Sequence, residues 1–191
     1  MKIMIKYGLI LTIVGIIASA SLAWINNITT PKIIAQQQKE FNQGLYQVLP
    51  GSENGKVIPV LRDNITIAHK GFSNPDTTGL IGYAFQANGS GYSSTIKTLV
   101  GIDTSGTILA IKILSHTETP GLGSKCEETR SGESSPWFQE QFKGEKASNI
   151  AVDKDNGNID SITGATITSR AITDAIADSA RSLMKKLDTL K

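Results

Sequence analysis

Residues 95–115 read TIKTLVGIDTSGTILAIKILS, and this stretch decides the fold. Its two halves, 95–103 and 107–115, are rich in β-branched residues, and Asp103-Thr104-Ser105-Gly106 is a short turn with glycine where hairpins favour it. The halves are expected to pair antiparallel. Upstream, residues 57–61, 66–72 and 80–87 have the same character and add three strands. Downstream, a glycine-bearing loop over 116–135 precedes a short helix at 136–142, a strand at 149–152 and a polar turn at 153–158. The last element is an amphipathic helix in which Ile172, Ile176, Ala180, Leu183, Leu187 and Leu190 recur every three or four residues. Asp174 and Asp178 lie early in it and Arg181, Lys185 and Lys186 late, in agreement with the helix dipole. Strands first and one long helix last predict an α+β domain, with the helix laid across an antiparallel sheet.

Ahead of the sheet, Lys2 and Lys6 precede residues 7–24, YGLILTIVGIIASASLAW, which carry no charged side chain. Eighteen helical residues rise about 27 Å, close to a hydrocarbon core of about 30 Å. The lysines place the N-terminus in the cytoplasm and everything after Trp24 outside, with Tyr7 and Trp24 as interfacial aromatics. A cleaved signal peptide is the competing reading, because Ala18-Ser19-Ala20 and Ser21-Leu22-Ala23 resemble cleavage sites. Both readings export the main domain. From 31 to 49, Ile33, Ile34, Phe41, Leu45 and Val48 fall near helical spacing, Pro31 suits a first turn, and Pro50-Gly51 ends the segment. The expected organisation is a cytoplasmic N-terminus at 1–6, a transmembrane helix at 7–24, an extracytoplasmic stalk at 25–49 and a domain at 50–191.

Composition narrows the chemistry. Nineteen basic and 17 acidic residues leave a net charge of +2, without the basic block of a nucleic-acid binder. Cys126 is the only cysteine, so this chain alone supplies no disulfide, CxxC zinc site or cysteine-ligated iron–sulfur cluster. His69 and His116 stand far apart without a metal-binding context. Ser182-Leu183-Met184-Lys185 spells SxxK without its partner motifs, and residues 153–160 resemble a calcium loop whose glycine is misplaced and whose distal glutamate is missing. No metal ligand and no catalytic side chain is expected, and redox chemistry requires a borrowed cofactor.

Immediately before the last helix stands Asp160-Ser161-Ile162-Thr163-Gly164-Ala165-Thr166-Ile167-Thr168-Ser169. A helix start there offers free amides that bind phosphate. An ordinary cap, with Thr166, Thr168 or Ser169 closing the helix, explains one hydroxyl but not the surplus.

Asp160 to Thr166 resembles the flavinylation motif, Asp-x-x-Ser/Thr-Gly-Ala-Thr/Ser, of the FMN-binding domains in the G subunit of the Rnf complex and the C subunit of the sodium-pumping NADH:quinone reductase. Glu118-Thr119-Pro120-Gly121-Leu122-Gly123 matches a second loop of the same subunits. Gly91-Tyr92, Ile96, residues 100–103, Gly106, Trp137-Phe138 and Phe142-Lys143-Gly144 also fall in family order. The resemblance covers nearly the whole chain and departs at Thr163, where serine is commoner.

It implies covalent FMN on Thr166 through a phosphoester. Asp160, Thr163, Gly164, Ala165 and Thr168 surround the attachment point, and Glu118, Thr119, Gly121 and Gly123 lie against the flavin. Threonine is a weak nucleophile and no general base adjoins it in sequence, so attachment is expected from a separate Mg-dependent flavin transferase that takes FMN from FAD. Glu118 either exchanges protons with the flavin or braces its loop, and Cys126 is expected to be inert. The implied function is electron relay in a membrane-bound ion-translocating ferredoxin:NAD oxidoreductase, beside other membrane and peripheral subunits. Alternatives are the C-type subunit of the quinone reductase, a free-standing anchored flavoprotein reductase, and a flavin-free anchored binding module.

Overall fold

The computed structural model describes residues 2–62 and 64–189. The Lys2 side chain and the expected apolar position Leu190 lie outside the described residues. Two compact units divide the chain, Met1–Glu40 and Phe41–Lys191.

Helix α1, Lys2–Val48, runs through the whole N-terminal region. It is long and apolar enough to cross a membrane by length and composition. Pro31 was expected to open a second helix but lies inside α1. Proline's fixed φ is itself helical, so the chain continues through it with one backbone hydrogen bond lost.

In the second unit, β1 (Lys56–Arg62), β2 (Ile65–Phe72), β3 (Leu80–Ser90), β4 (Thr95–Asp103) and β5 (Ile108–Ser115) form one antiparallel meander in sequence order. The deciding hairpin is β4–β5. The Asp103 carboxylate accepts from the amides of Ser105 and Thr107, both at 2.8 Å, and Gly106 turns the chain at φ +80°. The short helix α2 is Trp137–Glu140, with Pro136 as its cap. The long helix α3 is Thr166–Asp188.

Strand β4 is buried almost continuously because both faces of the sheet are covered. On one face, Ile172, Ile176, Ala180 and Leu183 of α3 pack over Phe85, Ile96, Val100 and Ile102. On the other, Leu45, Val48 and Leu49 cover Ala84 and Leu99. A Cβ on Gly101 would stand 1.8 Å from the Val48 carbonyl oxygen, so glycine permits this contact between backbones. Gly89 has the same role under α3, where a Cβ would meet the Ala171 carbonyl at 2.2 Å.

The strand expected at 149–152 does not form. Ala147–Asn149 is a 3-10 turn, and Val152 makes only an isolated parallel bridge to Ile159. Ile150, Val152 and Ile159 are buried as loop residues that fill the end of the core. Their backbone bonds close the 151–159 loop on itself instead of joining the sheet, with the Asp153 amide donating to Ile159 at 2.8 Å and the Ile159 amide to Ala151 at 3.1 Å.

Candidate functional site

Three segments distant in sequence meet at the start of α3: the turn at 91–94 after β3, the loop at 118–123 after β5, and residues 164–168. Glu118 joins them. The residue is 5% exposed. One carboxylate oxygen accepts from the amides of Ser93 at 2.9 Å and Ser94 at 3.0 Å and from the Ser94 hydroxyl; the other accepts from the Tyr92 amide at 3.1 Å and the Thr168 hydroxyl at 2.5 Å. Two glycines make room for it. A Cβ on Gly91 would lie 2.6 Å from Glu118 Oε1, and one on Gly123 would lie 2.8 Å from both Cβ and Oε2 of Glu118.

Burial by itself would raise the Glu118 carboxyl, but the Thr168 hydroxyl and the amides of Ser93, Tyr92 and Ser94 outweigh it and hold the group below its ordinary range. The stability this contributes is present above the unfolded-state pKa and is lost as pH falls through the lower folded-state value. Melting of the full chain should therefore drop as pH falls below the ordinary glutamate range, and Glu118→Gln should remove part of that drop. An acid limb unchanged in Glu118→Gln would place the acid sensitivity elsewhere.

The start of α3 follows from how its hydroxyls are used. None of Thr166, Thr168 or Ser169 caps the helix, contrary to the simple capping reading: the cap position is Ala165, at φ −138° and ψ 43°, and it makes no side-chain bond. Thr168 is committed to Glu118. Ser169 donates to the Ala165 carbonyl and accepts from the Ile162 amide at 2.9 Å, which ties the incoming strand of chain to the first turn. Gly164 turns the chain just before it at φ +77°. Among the described residues, no acceptor meets the amides of Thr166, Ile167 and Thr168, and no partner meets the Thr166 hydroxyl, which reaches solvent.

A cleft of about 660 Å³ opens at this point, lined by Tyr92, Glu118, Thr119, Leu122, Gly123 and residues 164–168. The structure thus brings together Thr166, Gly164, Ala165, Thr168, Glu118, Thr119 and Gly123. Gly121 does not line the cleft; it shapes the loop at φ +76°, donating to the Ser124 hydroxyl at 2.9 Å. Asp160 and Thr163 line a neighbouring, more polar depression of about 970 Å³ with Arg130 and Trp137. There the Asp160 backbone is held from both sides by the Gln141 side chain.

Sequence reading missed Tyr92, Leu122 and Ile167 as cleft residues. They are 72%, 45% and 52% exposed, and they give the cleft apolar walls around a polar floor. Tyr92 and Leu122 sit inside the resembling segments, but only the unusual exposure of such side chains marks them.

The remaining candidates do not join the cleft chemistry. Cys126 is fully buried, and burial, followed by the neighbouring Glu127 carboxylate, pushes its thiol up to about 12. His116 bonds Glu127 at 2.9 Å and accepts from the Glu118 amide. Asp155 pairs with Arg170 and Asp153 accepts from the Ser161 amide, so the turn that resembles a calcium loop fastens the chain to α3. Among the described residues, no group of three or more His, Cys, Asp or Glu side chains is placed to hold a metal.

The FMN-binding domain family model matches residues 91–181, and the RnfG N-terminal region matches residues 1–48. The G subunit of the ion-translocating oxidoreductase complex of Pasteurella multocida is 33% identical over 98% of this chain and 96% of its own length. The chain belongs to the G-subunit family of ion-translocating oxidoreductase complexes. The Shewanella oneidensis member is 34% identical over 91% of this chain and 86% of its own. The solved C subunit of a Na⁺-translocating NADH-quinone reductase from Parabacteroides distasonis is 26% identical, covering 59% of this chain and 58% of that one, with a TM-score of 0.45. All three segments of the cleft in this G-type chain, 91–94, 118–123 and 164–168, fall within the FMN-binding domain.

The residues present fit such a group. The cleft volume lies within the roughly 300–1,000 Å³ of small-molecule sites. Its exposed Tyr92, Leu122 and Ile167 suit a flat aromatic ring, and the unpaired amides suit a phosphate.

Proposed function

We propose that this G-type chain relays electrons within a membrane-bound, ion-translocating ferredoxin:NAD oxidoreductase complex, with FMN held as a phosphoester on Thr166. The observation that carries the attachment is the unpartnered, solvent-reaching hydroxyl of Thr166 beside three unpaired amides at the mouth of the cleft. An extracytoplasmic protein loses a weakly bound cofactor to dilution, and a covalent bond prevents that loss.

In loading, the Thr166 hydroxyl oxygen attacks the FMN-side phosphorus of FAD, the pyrophosphate bond breaks, AMP leaves, and the hydroxyl proton passes to the transferase. Among the described residues no base stands ready for that proton: Glu118 has donors on both oxygens, and the Thr166 hydroxyl has no partner. A separate flavin transferase with Mg²⁺ supplies that step. Asp160 and Thr163, displayed on the neighbouring depression and away from the cleft, are free for that enzyme to read. The bound phosphodiester keeps one negative charge, which the first-turn amides and the helix dipole stabilise. FMN itself supplies the electron chemistry. The chain's residues position it: Tyr92, Leu122 and Ile167 bound the ring and Glu118 braces the walls. Peptide mass spectrometry on the native protein tests the assignment; FMN on Thr163 or Thr168 would refute it.

The organisation that accompanies this reading is a single membrane pass at 7–24, a stalk at 25–49 and the flavin domain outside the cell membrane. Protease added to intact spheroplasts should remove the flavin-bearing domain. Protection there, with digestion in inverted vesicles, would reverse the topology.

A further inference from the structure

We infer that Glu118 is a fixed anion in the wall of the cleft that lowers the reduction potential of the group bound there. The inference rests on FMN being attached at Thr166.

Among the described residues, no Lys, Arg or His nitrogen lies within 4.0 Å of the Glu118 carboxylate. Its partners are neutral dipoles alone, the amides of 92–94 and the hydroxyls of Ser94 and Thr168. They keep the group ionised without cancelling its net charge. The carboxylate is buried and lines the same cleft as Thr166, so a ring filling the cleft displaces the water between them and feels its field with less screening than in bulk water.

The surroundings also select a carboxylate over a neutral isostere. Each oxygen faces at least one N–H, and only an ionised carboxylate offers two acceptor oxygens. Gly91 and Gly123 clear the space it occupies, since a Cβ at either would strike it. Reducing the ring adds negative charge opposite this anion, which makes reduction harder. A unit charge about 12 Å away, at an effective dielectric of about 20, changes such an equilibrium by about tenfold, which is about 59 mV for one electron.

The role of Glu118 is therefore positioning and electrostatic, and two variants separate it from bracing alone. Glu118→Gln keeps the shape and one acceptor while removing the charge. Thr168→Val keeps the charge and strips one donor from it. Full-length chain co-expressed with the flavin transferase is purified in detergent, checked by intact mass for covalent FMN, and titrated potentiometrically by flavin absorbance. The expected result is a positive shift of about 59 mV, or tenfold, in Glu118→Gln and a negative shift in Thr168→Val. A simple loosening of the cleft moves both variants the same way and overturns the inference, as does an unshifted Glu118→Gln. Should Glu118→Gln carry no flavin, the sign in Thr168→Val decides alone, and a positive or absent shift there overturns it. Parent protein without covalent FMN overturns both this inference and the function it rests on; FMN present with the wrong shifts overturns this one only.

Discussion

Thr166→Ala is expected to emerge without covalent flavin while its domain stays folded. The two effects separate because the Thr166 hydroxyl has no partner among the described residues, and the cap position belongs to Ala165. Nothing structural is lost with it, and alanine is the best helix former. Stability should change by no more than about 0.5 kcal/mol. Intact mass reports the flavin and thermal melting reports the fold. Thr168→Ala should show the converse, retaining the proposed attachment hydroxyl of Thr166 but breaking the bond to Glu118 at a cost of about 1–3 kcal/mol. Flavin retained in Thr166→Ala would remove the assignment outright.

Removing the Glu118 side chain should do the greatest damage to the cleft. Glu118→Ala strips the acceptor from the amides of Tyr92, Ser93 and Ser94 and from the Thr168 hydroxyl at once, and it leaves space between Gly91 and Gly123 that neither can fill. Bonds to charged groups contribute about 1.5–3 kcal/mol each but are not additive, so a total loss of about 3 kcal/mol is expected. Hydrogen exchange should localise the damage, with the amides of 92–94 losing protection while those of the β4–β5 hairpin keep it. Unchanged protection at 92–94 would show that the turn stands without the carboxylate. Flavin loading should fall as well, because Tyr92 loses its position on the cleft wall.

Much of the fold was legible because its signals are local. The β4–β5 hairpin announces itself by a glycine turn between β-branched runs, and the structure adds only the Asp103 carboxylate that pins the turn. The apolar row of α3 is buried where the spacing places it, from Ile172 through Leu183. Pro31 misled because proline's first-turn preference is a tendency, which a helix extending on both sides overrides. The strand expected at 149–152 misled for a different reason. Burial of Ile150 and Val152 produces the same apolar pattern in a loop plugging the core as in a strand.

The sequence by itself determined the five strands and the last helix, their order, the apolar N-terminal run, and two of the three segments that line the cleft, since each is written in residues within a few positions of one another. Only the tertiary structure decided that residues 91–94, 118–123 and 164–168 share one cleft, that Glu118 is its clasp, and that Asp160 and Thr163 face a different depression from Thr166. It also decided that the Thr168 hydroxyl is spent on Glu118 and the Ser169 hydroxyl on Ile162 and Ala165, leaving the amides of Thr166, Ile167 and Thr168 unpaired among the described residues. The physical reason is range. The bonds of Glu118 span 24 residues to Ser94 and 50 to Thr168. Contacts of that separation leave no periodicity in the chain, and arise only when the sheet and α3 pack and bring their loops to the same end.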